Sequence, residues 1–133
     1  MNETSGVRVS WLRFVYWYTV VGAGAAGLWI LLSPRTFSTA LGMPVQDPFI
    51  LGVVGSAWLA FAGAAVPALR SPLRFAPMLL VQLGYKTFWF VGVFLAQALR
   101  GPLPFYAWLL AAVFASYIVL DLVAIPFRRL SDH

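Results

Sequence analysis

Four long apolar stretches, joined by short turns rich in proline and arginine, dominate the sequence. They cover about residues 10–32, 48–69, 75–99 and 105–125. A helix needs roughly 20 apolar residues to cross a bilayer, and each stretch is long enough. Of the 133 residues, 62% are hydrophobic and only 10% are charged, so no stretch remains for a separate water-soluble domain. Any function must therefore reside in these spans, in their connections or at an interface with a partner.

The short connections predict an all-α fold that forms a single transmembrane domain over residues 1–133. Consecutive spans joined by so few residues must be antiparallel neighbours, which gives an up-down-up-down four-helix bundle. Ser33, Pro34 and Gly42 mark the start and end of an additional short helix over about 34–41, which we expect to lie flat on the membrane surface. Asp47 is expected to cap the second span.

The arginines predict which way the chain crosses the membrane. Six lie at the ends of spans that face one side: Arg8, Arg13, Arg70, Arg74, Arg128 and Arg129. Only Arg35 and Arg100 lie on the other side. Because cytoplasmic loops carry the excess of positive charge, both termini are expected in the cytoplasm. The same rule accounts for the net charge of +5 without a nucleic-acid partner.

Small residues recur every four positions in the second span, at Gly52, Ser56, Ala60 and Ala64. Gly22 and Ala26, and Ala23 and Gly27, repeat the pattern in the first span, and Gly55 and Gly63 broaden the stripe in the second. Small residues on one face let two membrane helices approach closely, so these positions predict packing between the first two spans. Space for a ligand along the same face is the alternative interpretation.

Lys86, the only lysine, lies in the middle of the third span, where a charge needs a partner or a use. At about 100° per residue, Gln82, Lys86 and Gln97 share one side of that helix. Tyr117 and Asp121 share one face of the fourth span. Because side chains lean toward the N-terminus of their own helix, Lys86 and Asp121 lean toward each other across antiparallel spans. The sequence thus predicts an ion pair, bridged by Gln82 or Tyr117.

Tyr85 and Trp89 flank Lys86, and aromatic rings beside an ammonium group can form a cation–π box. Both residues are therefore candidates for the same site. Three interpretations of the site stay open from the sequence. It could be a structural ion pair, a contact for a ligand, proton or ion, or a contact with another subunit.

Several kinds of chemistry are disfavoured by residues that are missing. The chain has no cysteine, and its only histidine is His133, the last residue. The four acids, Glu3, Asp47, Asp121 and Asp132, are widely separated in sequence. No phosphate-binding loop, metal-ligand cluster or nucleophile with a paired base is apparent. The sequence therefore identifies no metal ligand and no cofactor, although a bound lipid, quinone or pigment stays open, and it disfavours an enzyme.

Several short runs resemble small, uncharacterised four-helix membrane proteins of bacteria, loosely of the DoxX-like type. These runs are SPRTF at 33–37, LGMP at 41–44, GVVG at 52–55, YKTFW at 85–89 and LDLVAIP at 120–126. The resemblance implies the four-helix architecture and implies that Lys86 and Asp121 belong to the shared pattern. It also implies a bacterial inner membrane as the location, and it transfers no catalytic residue.

Three functions follow as hypotheses. The first is a non-catalytic protein that binds a partner membrane protein or a lipophilic ligand, such as a lipid, quinone or pigment, through the bundle interior. The second is a small oligomeric transporter or channel that uses Gln82, Lys86 and Gln97. The third is a membrane enzyme with Lys86 and Asp121 as its acid–base pair. The small-residue stripes, the aromatic content of 17% and the lack of catalytic groups favour the first.

Overall fold

The computed structural model of the protein describes residues 9–44 and 46–127, and it confirms the predicted all-α class. The helices are α1 (Val9–Leu32), α2 (Pro34–Leu41), α3 (Pro48–Ala68), α4 (Pro77–Trp89), a π-helical segment (Phe90–Leu95), α5 (Ala96–Ala98) and α6 (Phe105–Ala124). The segments from α4 to α5 follow one another without a break, as one long helix. Arg8, Arg128 and Arg129, on which half of the predicted positive side depends, lie outside the described residues.

Among the described residues, four helices are long and apolar enough to cross a membrane: α1, α3, the continuous helix Pro77–Ala98 and α6. Their ends lie within 2 residues of the predicted spans. Large apolar side chains point away from the protein, and Phe49, Phe88 and Phe105 are each more than three-quarters exposed. Water would penalise that much exposed apolar surface, whereas lipid does not. The structure is therefore that of an α-helical membrane protein, and the direction in which it crosses stays a prediction.

The described residues divide into two compact units. One comprises those of Met1–Val15 and Pro72–His133, and the other comprises Tyr16–Ser71. The first unit contains α4, the π-helical segment, α5 and α6. The second contains most of α1 together with α2 and α3.

In the second unit, α1 and α3 approach closely at two glycines. A Cβ atom added to Gly27 would lie 2.7 Å from the carbonyl oxygen of Gly55 and 2.8 Å from the backbone nitrogen of Leu59. A Cβ atom on Gly55 would lie 2.7 Å from a side-chain carbon of Ile30. Only glycine allows this backbone separation, which brings the two helices into direct contact.

This contact differs in register from the predicted stripe. Ser56 and Ala60 are exposed, Gly52 and Ala64 are half-exposed, and an added Cβ on Gly52 would meet nothing within 4 Å. In α1, Gly22 is exposed and Ala26 is half-buried. Small residues occupy several faces of these helices, so spacing alone did not single out the face that the helices share. The first two spans do pack together, through Gly27 and Gly55, which are both among the small residues predicted to pack.

The predicted short helix is confirmed as α2, together with the residues that bound it. Gly42 ends it in the left-handed conformation, with φ +72°, and the Gly42 amide donates to the carbonyls of Ser38 and Thr39. Its Phe37 is buried with Ile30 of α1 and Leu51 of α3 in a small apolar cluster. The placement of α2 flat on the membrane surface stays a prediction.

The predicted cap of α3 is also confirmed. The Asp47 carboxylate accepts a hydrogen bond of 2.8 Å from the backbone amide of Phe49. This bond satisfies one of the amides at the start of the helix that have no partner within it. The start of the second membrane-spanning helix is thus defined locally by its own sequence.

In the first unit, α4 and the π-helical segment pack against α6. The π-helical segment has a wider turn than an α-helix, with hydrogen bonds to the fifth residue along. In an α-helix, residues three or four apart are neighbours on the surface, whereas the side chains of residues five apart point in different directions. Here Trp89 and Phe94, five apart, bring their ring centroids to 5.6 Å. The widened turn therefore gathers aromatic rings on the side of the helix nearest α6.

Candidate functional site

A buried polar cluster joins α4 to α6 in the first unit. The side-chain amide of Gln82 donates to both carboxylate oxygens of Asp121, each at 3.3 Å. Asp121 is 0% exposed and Gln82 is 1% exposed. Hydrogen bonds of this length are at the weak end of the range, yet inside a membrane protein neither group could bond to water instead. The two residues are 39 positions apart, so this contact fixes the register of α4 against α6.

The Lys86 ammonium lies one turn along α4 from Gln82 and is enclosed by aromatic rings. Its Nζ atom is 3.4 Å from the centroid of the Tyr117 ring and 5.3 Å from the centroids of Tyr85 and Phe114. Among the described contacts no ion pair joins Lys86 to Asp121, and the Asp121 carboxylate accepts from Gln82 instead. The ring faces replace part of the water that the ammonium has lost.

A layer of aromatic side chains follows the polar cluster toward the far end of α4. Trp89 meets Phe114 at 5.0 Å between ring centroids, and Phe114 also contacts Lys86. Phe94 stands edge-on to Trp108 at 5.2 Å. Large rings in T-shaped contact are held well in place by their mutual geometry. Trp89 and Phe114 therefore form a wall on the side of Lys86 that faces the turn between α5 and α6.

Beyond this wall lies a cavity of about 650 Å³. Its apolar surface comes from Trp89, Val93, Phe94, Leu103, Ala107 and Leu110. Its polar groups are Gln97, Arg100 and Tyr106, near the turn. This volume lies within the range of about 300–1,000 Å³ that is typical of small-molecule sites, and so does a mainly apolar lining with a few polar groups. The arrangement can hold a molecule that has an apolar body and one polar end.

The structure brings most of the predicted site residues together in the first unit. Gln82, Lys86, Tyr85, Tyr117 and Asp121 form the buried cluster, and Trp89 separates it from the cavity. Gln97 is exposed and lines the cavity, two helical turns beyond Trp89. The polar line predicted along the third span is thus divided by aromatic side chains into a buried part and a cavity part.

The sequence interpretation did not include Phe114, Phe94 or Leu110 in the site. Phe114 and Leu110 lie on the same face of α6 as Tyr117 and Asp121, and that periodicity was the available signal. The π-helical turn that brings Phe94 to Trp89 has no comparable signal, since FVGVFL reads as ordinary apolar helix. The cavity itself depends on how helix ends diverge, which hydropathy does not report.

No protein-family model matches the chain, and comparisons with curated proteins and with solved structures gave no significant match. The class of protein is therefore defined by its own structure, as an α-helical membrane protein with four apolar helices and one short helix. The resemblance to DoxX-like proteins stays a prediction.

Proposed function

We propose that this membrane protein binds a lipophilic small molecule in the cavity between the α4–α5 helix and α6, without catalysing a reaction on it. The observation that carries the proposal is the cavity of about 650 Å³ with an aromatic and aliphatic wall. The cavity is open on one side, and an apolar ligand would cover the apolar side chains that line it. Lipid, quinone and pigment ligands all have the apolar body that such a wall accommodates.

Extraction of bound molecules tests the proposal. The protein is purified in mild detergent, and its retained lipophiles are extracted and identified by mass spectrometry. Leu110 lines the cavity, so Leu110→Trp is expected to narrow it and to weaken ligand binding. The neighbouring Leu109 is partly exposed and is not among the lining residues, which makes Leu109→Trp the matched control.

We expect one compound, near one per chain, with wild type and Leu109→Trp, and much less with Leu110→Trp. Equal retention by the two tryptophan variants, or no retained compound in wild type, would contradict the proposal. Thermal unfolding of each variant in the same detergent shows whether a loss of ligand has simply followed a loss of fold.

Transport is the second candidate, because Trp89 lines the cavity and packs on Phe114, and Phe114 contacts the Lys86 ammonium. Movement of these rings would let a small anion pass from Arg100 to Lys86, and positively charged side chains along a path favour anions. Anion flux into liposomes that falls with Lys86→Met, but not with Arg74→Gln, would support this function. Flux that is the same for Lys86→Met and wild type would exclude a role for Lys86 in it.

A further inference from the structure

The polar and apolar groups of the cavity lie at opposite ends of it. Arg100 and Gln97 come from the end of the α5 helix and the turn after it, whereas Trp89 comes from the middle of the span. The distance between these levels is roughly 16 Å, for 11 residues at about 1.5 Å each. A molecule lying along the cavity would thus meet a charged group at one end and an aromatic wall at the other.

The charge at the polar end of the cavity is positive. Arg100 is exposed and contributes to the lining, and none of the described residues that line the cavity is acidic. The first turn of α6 also borders the cavity, and no side chain caps it, so its amides add to the positive potential around Arg100. A guanidinium group binds carboxylate or phosphate with two parallel hydrogen bonds, which favours an acidic head over a neutral one.

The apolar end limits the length of the ligand. Trp89 is held against Phe114 on one side and Phe94 on the other, and Lys86 lies behind Phe114. A chain that enters from the Arg100 end therefore stops at the Trp89 ring. The volume is that of a single-chain molecule rather than of a lipid with two chains.

We propose that the cavity takes a single-chain amphiphile with an acidic head, its head on Arg100 and its chain end against Trp89. This inference rests on the proposed function and adds to it the chemical class of the ligand. A free fatty acid and a lysolipid phosphate share this chemistry.

Chains brominated at their far end provide the test, because bromine quenches a tryptophan that it touches. The protein is placed in nanodiscs of zwitterionic lipid, at mildly alkaline pH. A carboxylic acid, a phosphate monoester and an alcohol of the same chain length are then titrated. The signal is the part of the quenching that Trp89→Phe removes, which reports the chain end at the wall and not at the other tryptophans.

Both acids are expected to bind at least about tenfold more tightly than the alcohol, as charged hydrogen bonds of about 1.5–3 kcal/mol imply. Arg100→Gln should remove that preference by weakening both acids toward the affinity of the alcohol, while Arg100→Lys should retain most of it. Arg74→Gln, at an exposed arginine in the other turn of this unit, should change nothing. Whichever acid binds more tightly, the carboxylic acid or the phosphate monoester, indicates whether the natural ligand is a fatty acid or a lysolipid phosphate.

Equal binding of acid and alcohol to wild type would overturn the acidic head and leave the cavity as a lipophile site. An acid preference that survives Arg100→Gln would overturn the role of Arg100. If none of the three brominated compounds quenches the fluorescence of Trp89, the inference is overturned, whatever the extraction of native lipophiles shows. The proposed function is then decided by the extraction experiment alone.

Discussion

The side-chain amide of Gln82 on α4 donates to both carboxylate oxygens of Asp121 on α6, and both residues are buried. One turn after Gln82 on α4, the Lys86 ammonium lies against the ring of Tyr117. Tyr117 lies one turn before Asp121 on α6. Two successive turns of each helix thus make matched polar contacts. Because lipid offers no replacement for such contacts, they hold α4 and α6 in a single register.

A double-mutant cycle on Gln82→Leu and Asp121→Leu measures this contact. We expect a coupling energy of about 0.5–1.5 kcal/mol, the range found for hydrogen bonds between membrane helices. Asp121→Leu alone should cost more, about 1–3 kcal/mol, because it leaves the buried Gln82 amide without its acceptors. Reversible unfolding in mixed micelles gives these values. Gln97→Leu is the control, and a coupling to Asp121→Leu as large as that of Gln82 would contradict the contact.

The contact of Lys86 with the Tyr117 ring is tested by two substitutions at Tyr117. Tyr117→Leu removes the ring and should reduce the free energy of unfolding by about 1–2 kcal/mol beyond the loss of packing, as for a desolvated cation–π contact. Tyr117→Phe keeps the ring and should retain most of that stability. If both variants lose the same free energy of unfolding in micelles, the hydroxyl group of Tyr117 and not its ring face stabilises the protein.

The close approach of α1 and α3 predicts opposite outcomes for two Gly→Ala changes. At Gly27 the added methyl group would overlap backbone atoms of Gly55 and Leu59, so Gly27→Ala should destabilise the protein by about 1–3 kcal/mol. At Gly63 an added Cβ meets nothing within 4 Å, and Gly63→Ala should stay within about 0.5 kcal/mol of wild type. Unfolding in the same detergent compares them, and an equal loss from both would argue against the Gly27–Gly55 contact.

The spans, the short helix and the Asp47 cap could be predicted because each depends on local sequence. The length of an apolar stretch determines a span. The cap depends on one carboxylate, that of Asp47, and on a backbone amide two residues later. The contact face of α3 could not be predicted in this way, since Gly52 and Gly55 are equally small and only one of them meets α1. That choice depends on packing along the whole helix pair.

The candidate site was partly predictable for the same reason. Periodicity placed Gln82 and Lys86 on one side of the third span and Tyr117 and Asp121 on one face of the fourth. It could not reveal which side chain bonds to which, and in the structure it is Gln82 that donates to Asp121. The cavity depends on the π-helical turn and on the conformation of the α5–α6 turn, and neither has a local sequence signal of comparable strength.

The predicted orientation can be checked directly because the natural chain has no cysteine. Single cysteines replace Ser71 in the arginine-rich turn and Pro102 in the turn between α5 and α6. With both termini in the cytoplasm, a membrane-impermeant maleimide should label Pro102→Cys in intact cells and Ser71→Cys only after the membrane is permeabilised. The reverse pattern would invert the orientation and place the Arg100 end of the cavity in the cytoplasm.

The position of the ligand tests the central claim most directly. Leu109 and Leu110 are neighbours on α6, but only Leu110 lines the cavity. Nuclear Overhauser effects are measured between the chain protons of the retained ligand and leucine methyl groups of the protein, in deuterated detergent. The account predicts strong effects to the Leu110 methyl groups and none to those of Leu109. Effects of equal strength to both leucines, or to Leu109 alone, would place the ligand on the outer surface and contradict the cavity as its site.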